Sequence, residues 1–181
     1  SEGGAPMREP GSIGSLLREA LKEMAPHENI ECSLVISHDL WYADYDPTQM
    51  RYAISNVLTN AREALPRGGV IHIQAGNTVS GDPNNASAIP SGNGKHVLIV
   101  VKDNGTGIPE EHLEKIFDPY FSTKERGIQK GMGLGLTTSD SIIRKHEGSI
   151  KVESVPSAGT TVSIYLPAAE SEAFEEPKIE K

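Results

Sequence analysis

The 181-residue chain is of one-domain size, 36% hydrophobic and 23% charged, and its net charge of −8 argues against a nucleic-acid surface, which needs a basic face to neutralise phosphates. No apolar run approaches the ~20 residues that cross a bilayer, so no membrane contact is expected. Cys32 stands alone, which excludes an internal disulfide and a thiolate zinc site and points, with the acidic balance, to a reducing cytoplasmic setting.

Residues 1–11, SEGGAPMREPG, lack the basic and apolar regions of a signal peptide and read as a linker or an excised boundary. From Ser12, an N-cap by residue type, the spacing of Ile13, Leu16, Leu17, Ala20 and Leu21 predicts an amphipathic helix. A strand is expected over 30–37, then an extended piece over 39–47. Asp46-Pro47-Thr48-Gln49 combines a cap acceptor, a proline at the first helical position and a glutamine three residues after the cap. The helix it opens carries a buried stripe of Met50, Ile54, Val57, Ala61 and Leu65, and Pro66, Gly68 and Gly69 stop it. Asn56, Asn60 and Glu63 form a second, polar stripe on one face.

Strands are expected over 70–79 and 96–105, the second nearly continuous in apolar residues, with the Gly-, Pro- and Asn-rich segment GDPNNASAIPSGNGK as a long hairpin loop between them. Pro109 opens a short helix to Lys115. The segment FDPYFSTKERGIQK has no steady period. A helix follows over 137–147 with Gly148 as its C-terminal cap, and strands over 149–155 and 160–167 close the domain as a hairpin. Residues 169–181 are an acidic, flexible tail by composition. The order predicts an α/β fold: a two-layer sandwich with a mixed, mainly antiparallel sheet and helices on one face, over residues 12–168.

Three segments carry chemistry. KGMGLGL at 130–136 fails the GxGxxG pattern because Leu136 stands where a third glycine is needed, and no GxxxxGK[ST] occurs. A flexible turn and an anion cradle at a helix N-terminus both fit it, with Lys124, Arg126 and Lys130 upstream. DNGTGIP at 103–109 ends a buried strand, where Asp103 needs donors, as turn chemistry or as a ligand anchor. The amides of Asn56 and Asn60 are hard oxygen ligands suited to Mg²⁺, and a solvated helix face would look similar.

In order, NVLTNAREA, DNGTGIP, FDPYFSTK, GMGLGL and GTTVSIYLP resemble the N box, first glycine box, F box, second glycine box and closing strand of the ATP-binding catalytic domain of sensor histidine kinases. These belong to the GHKL superfamily with DNA gyrase, the Hsp90 chaperones and the MutL proteins. The resemblance runs from about residue 12 to 167, and Asn-Ala-Arg-Glu-Ala with FDPYFSTK is most similar to the nitrogen-regulator type.

The resemblance implies ATP and Mg²⁺ as cofactors. Asn60 would coordinate the metal, with Asn56 on the same face beside the phosphates or a metal-bound water. Asp103 would accept from the adenine amine, with Gly105 and Gly107 in the same box, and Thr160 would act through the adenine edge or a water. Ile108 and Ile116 would touch the ring. Residues 118–131 would be the mobile ATP lid, with Lys124 and Lys130 as its cations, and Gly131, Gly133, Leu134 and Gly135 would lie along the triphosphate. Glu63 departs from the Lys or Arg many members carry, so Arg62, Lys124 or Lys130 must substitute.

The implied activity is that of a protein-histidine kinase in a two-component phosphorelay, donating the γ-phosphoryl group to a histidine on a separate dimerisation domain that signals to a response regulator. The isolated domain would be a monomer and the parent kinase a homodimer. His27-Glu28 and His146-Glu147 lack the acidic-then-proline continuation of that acceptor. A GHKL-type ATPase or a nucleotide-binding regulatory module are the alternatives. The ATPase branches place a water-activating glutamate at the position of Asn56, where an amide cannot act as base.

Overall fold

The computed structural model describes residues 4–25, 28–80, 94–118 and 132–170, with the backbone alone for 132–135. Strand β1 (Glu9–Gly11) precedes helix α1 (Ile13–Met24), strand β2 (Ile30–Ile36), strand β3 (Ala43–Tyr45) and helix α2 (Pro47–Glu63). Strands β4 (Gly69–Val79) and β5 (Lys95–Asp103), helix α3 (Glu110–Leu113), helix α4 (Met132–Lys145) and strands β6 (Ser149–Val155) and β7 (Gly159–Pro167) complete the order.

The five-stranded sheet has the order β2-β4-β5-β7-β6 and is antiparallel except for β2 beside β4. That exception follows from the chain path, because α2 crosses over between β2 and β4 and returns the chain in the same direction. Ile73, Val101 and Val162 align across β4, β5 and β7, and Ala75, Ile99 and Ile164 align one pleat further on. All are buried with Leu17, Ile54, Leu58 and Ile143 from the helices in one core. Each fully buried aliphatic side chain contributes about 1.5–3 kcal/mol, so this shared layer fixes α1, α2 and α4 on one face of the sheet.

Both cap acceptors form as the sequence predicts, but the capping box that Gln49 would complete does not: its side chain donates to the Gly4 carbonyl at 3.1 Å, and the Asp46 N–H goes to His146 Nε2 at 3.0 Å. Ser12 Oγ accepts from Ser15 N at 3.0 Å, and Asp46 Oδ1 accepts from Thr48 N and Gln49 N at 3.0 and 3.1 Å. Asp46 Oδ2 also accepts from Met7 N at 2.9 Å, and these bonds, led by that from Met7, hold its carboxyl below the ordinary range.

Four expectations need correction. Glu9–Gly11, assigned to a linker by composition, pairs antiparallel with β3, a strand within the segment expected to be merely extended. The predicted strand 96–105 stops at Asp103, where the glycines turn the chain. Helix α4 begins at Met132 rather than 137: glycine costs a helix only about 1 kcal/mol relative to alanine, less than packing against α2 returns. At its other end the left-handed residue is Glu147, φ +61°, not Gly148. Gly148 donates to Ile143 O at 2.9 Å, and a Cβ there would strike the carbonyl of Tyr165.

Residues 81–93 of the GDPNNASAIPSGNGK loop, His27, the F-box segment from residue 119, the 119–131 part of the lid and the tail from residue 171 lie outside the described residues. No helix among the described residues is long and apolar enough to cross a membrane.

Candidate functional site

Asp103 is the last residue of β5 and only 5% exposed. Its Oδ1 accepts from Gly105 N at 2.9 Å, and its carboxylate also accepts from the backbone N–H of Thr160. Burial pushes its pKa above the ordinary carboxylate value, against these two N–H groups, which stabilise the charged form. Thr160, 6% exposed, is its direct cross-strand partner on β7.

The glycine turn after Asp103 is pressed between two elements. Thr106 N donates to the carbonyl of Ala64 at the end of α2 (3.1 Å), and Ser157 N donates to the carbonyl of Thr106 (2.8 Å). Gly107 has φ +71°, and a Cβ there would collide with the Val155 carbonyl, so only glycine fits. Ile108, which follows this turn, and Ile116 are both buried in the core, and Thr137 Oγ1 of α4 donates to the Ile116 carbonyl at 3.4 Å.

Asn56 and Asn60 lie one turn apart on α2, with Asn60 7% exposed and Asn56 half-buried. One end of the Asn60 amide, Nδ2, is buried without a hydrogen-bond partner, as is Glu63 Oε2 three residues on. An unmatched buried polar atom is costly unless something occupies its hydrogen-bonding or coordinating position. Turning the amide over puts its carbonyl oxygen at that same end. Among the described residues no group of three or more His, Cys, Asp or Glu could hold a metal ion.

Helix α4 packs along α2, with Ser139 Oγ donating to the Ala53 carbonyl at 2.9 Å. Gly133, Leu134 and Gly135 are therefore in its first turn rather than in a loop ahead of it, and the N–H groups of Gly133 and Leu134 are among those a helix leaves without an internal partner. Lys124, Lys130 and Gly131 lie outside the described residues.

Sequence reasoning missed two residues. Ser154 of β6 sits opposite Thr160, and its Oγ accepts from Ile108 N at 2.7 Å. Its signal is a polar residue in register with Ile150 and Val152. His146, fully buried, donates from Nδ1 to the Ile142 carbonyl (2.7 Å) and accepts at Nε2 from Asp46 N (3.0 Å), joining the end of α4 to the cap of α2.

The family described as "Histidine kinase-, DNA gyrase B-, and HSP90-like ATPase" matches residues 45–170. Over 162 residues, 85% of its length, the chain is 37% identical to the sensor kinase CckA of Brucella abortus (strain 2308), 17% of which is covered. Sporulation kinase C of Bacillus subtilis (strain 168) is 36% identical over 122 residues, 67% of this chain and 24% of that protein. The chain thus spans a quarter or less of these two relatives. Among solved structures, the nucleotide-free catalytic domain of the histidine kinase ThkA superposes with a TM-score of 0.68 at 26% identity, covering 92% of this chain and 99% of that one. The mycobacterial sensor histidine kinase MprB shares the fold with a TM-score of 0.68 at 24% identity, over 90% and 98% of the two chains. On the family match over most of its length, the chain belongs to the histidine kinase-, DNA gyrase B- and HSP90-like ATPases.

Proposed function

We propose that this domain binds ATP with Mg²⁺ and donates the γ-phosphoryl group to a histidine on a separate dimerisation domain, within a cytoplasmic two-component relay that ends on a response regulator. The observation that carries the reading is the buried Asp103 carboxylate beside Thr160, behind a turn that only Gly107 can make. A carboxylate so deeply buried, with two N–H donors, retains acceptor capacity for an exocyclic amine. Ile108 and Ile116 supply the apolar walls.

Asn60, whose buried amide end lacks a partner, fits a hard metal ligand, with Asn56 on the same face toward the phosphates. Magnesium bound there would neutralise phosphate charge and take its other ligands from phosphates and water. The N–H groups of Gly133 and Leu134 at the start of α4 suit the triphosphate, with Gly135 beside them leaving room for its approach, and Lys124 and Lys130 are the cations assigned to closing over it. Phosphoryl transfer needs positioning and charge more than covalent chemistry, and these parts supply both.

The amide at Asn56 favours transfer over the ATPase reading, since it cannot deprotonate water. The chain, incubated with γ-labelled ATP and a histidine-bearing helical hairpin from a sensor kinase, is expected to place acid-labile phosphate on the hairpin and to hydrolyse ATP slowly when alone. Fast turnover without the hairpin would overturn the proposal in favour of an ATPase.

A further inference from the structure

Asp103, Thr160 and Ser154 form one row across β5, β7 and β6, each directly opposite the next on the helix-covered face of the sheet. The Ser154 hydroxyl oxygen has three polar neighbours: Ile108 N at 2.7 Å, the Gly159 carbonyl at 3.0 Å and Thr160 Oγ1 at 2.8 Å. A serine hydroxyl offers one proton and two lone pairs. The Ile108 N–H can only donate, so it takes one lone pair. The Gly159 carbonyl can only accept, so it takes the proton. The remaining lone pair faces Thr160, which must then be the donor of that bond.

The single hydroxyl proton of Thr160 is thereby committed to Ser154, and only its lone pairs remain for a ligand. The ionised Asp103 beside it is likewise an acceptor only. An unconstrained threonine would rotate to give or take a proton as the ligand required, whereas this one is held in a single role.

We propose that Ser154 is a specificity-determining positioning residue that keeps the Thr160 hydroxyl from donating to the ligand and so, beside Asp103, selects a ligand edge bearing an exocyclic amine over one bearing a carbonyl. The proposal rests on the reading that Asp103 and Thr160 face the nucleotide base. It assigns the discrimination to a side chain on β6 that need not touch the ligand. A site whose polar groups are fixed rejects a mismatched ligand more strongly than one whose groups can turn.

The test is the ratio of dissociation constants for inosine diphosphate and adenosine diphosphate, measured calorimetrically on the whole chain. These ligands exchange a carbonyl for the amine at the same ring position. Ser154→Ala is expected to reduce the wild-type preference for the amine about tenfold, the size of one mismatched hydrogen bond. Ser154→Cys, which keeps a side-chain atom at the hydroxyl position but accepts hydrogen bonds weakly, is expected to do the same and serves where the alanine variant fails to fold. Ser154→Thr retains the hydroxyl and should retain the ratio. In a Thr160→Val background, Ser154→Ala should leave the ratio where valine alone puts it.

A ratio unchanged in both the Ala and Cys variants, with both affinities falling together, would overturn the proposal and leave Ser154 as a support for the turn. So would a further shift in the valine background. If Asp103→Asn leaves adenosine diphosphate affinity at its wild-type value, the base-site reading fails and this inference with it. If Asp103→Asn weakens binding while the Ser154 variants keep the ratio, only this inference fails.

Discussion

Replacing Asp103 by asparagine should move stability and binding in opposite directions. In the free domain the carboxyl is 5% exposed, and burial holds its pKa above the ordinary value despite N–H donors from Gly105 and Thr160. The folded chain therefore holds this proton more tightly than the unfolded chain. The resulting contribution to stability is present below the unfolded-state value and lost as pH rises through the raised folded-state value. Above that window the ionised group costs stability, so Asp103→Asn should raise the melting temperature of the free domain at neutral pH and flatten its dependence on acid pH. Binding should respond the other way. A hydrogen bond to a charged acceptor contributes about 1.5–3 kcal/mol, so its loss should weaken adenosine diphosphate roughly 10- to 150-fold. Wild-type affinity should also fall on acidification at a higher pH than an ordinary aspartate would give. Calorimetric titration with thermal melts from pH 4 to 8 would measure all of this. An asparagine variant that binds within twofold of wild type and melts no higher refutes the reasoning.

Asn60→Ala should abolish the tightening of nucleotide binding by Mg²⁺, read as the ratio of affinities with and without the ion; an unchanged ratio would remove Asn60 from the metal site. His146→Ala leaves the Asp46 N–H without its acceptor, while the Ile142 carbonyl keeps its bond from the backbone N–H of residue 146, and should cost about 1–3 kcal/mol in a denaturant titration. A loss below 0.5 kcal/mol, a threshold of about half a net hydrogen bond, would show that the bridge between the α4 end and the α2 cap carries little. Gly107→Ala forces a side chain into a backbone conformation at φ +71° and against the Val155 carbonyl, so it should destabilise by more than the roughly 1–3 kcal/mol of backbone strain alone and weaken nucleotide binding as well. Wild-type melting of this variant would contradict the close approach.

The local signals that carried furthest in the sequence were those with a short-range cause. The caps at Ser12 and Asp46 and the stripe from Met50 to Leu65 needed only side chains a few residues apart, and all form. Asp103 was legible because a carboxylate closing an apolar strand has to find donors. What the sequence hid depends on distant partners. The strand over Glu9–Gly11 exists because Ala43–Tyr45 lies across from it, and nothing in EPG announces that pairing. Helix α4 starts early because α2 supports it, a tertiary effect that outweighs the glycines. Ser154 matters through Thr160, Gly159 and Ile108, the last of them 46 residues away. The nitrogen-regulator subgroup rests on two sequence segments alone, one of which, FDPYFSTK, lies mostly outside the described residues.

The two sides of the site differ in what holds them. Asp103, Thr160 and Ser154 are placed by backbone ladders between adjacent strands, so their mutual register is set without any side chain. Asn56 and Asn60 are placed by α2, which meets α4 through side-chain packing and bonds such as Ser139 to Ala53. On the proposed function the first side chooses the base and the second holds the phosphates and metal, so each should be alterable without the other. The double variant Asp103→Asn, Asn60→Ala tests this. Its loss of nucleotide affinity in Mg²⁺ should equal the sum of the single losses within about 0.5 kcal/mol, as for separate sites with no shared partner. A coupling above about 1 kcal/mol would mean that the turn at Gly105 to Gly107, seated on the Ala64 carbonyl at the end of α2, transmits between the two sides, and that the base row and the asparagine face act as one unit.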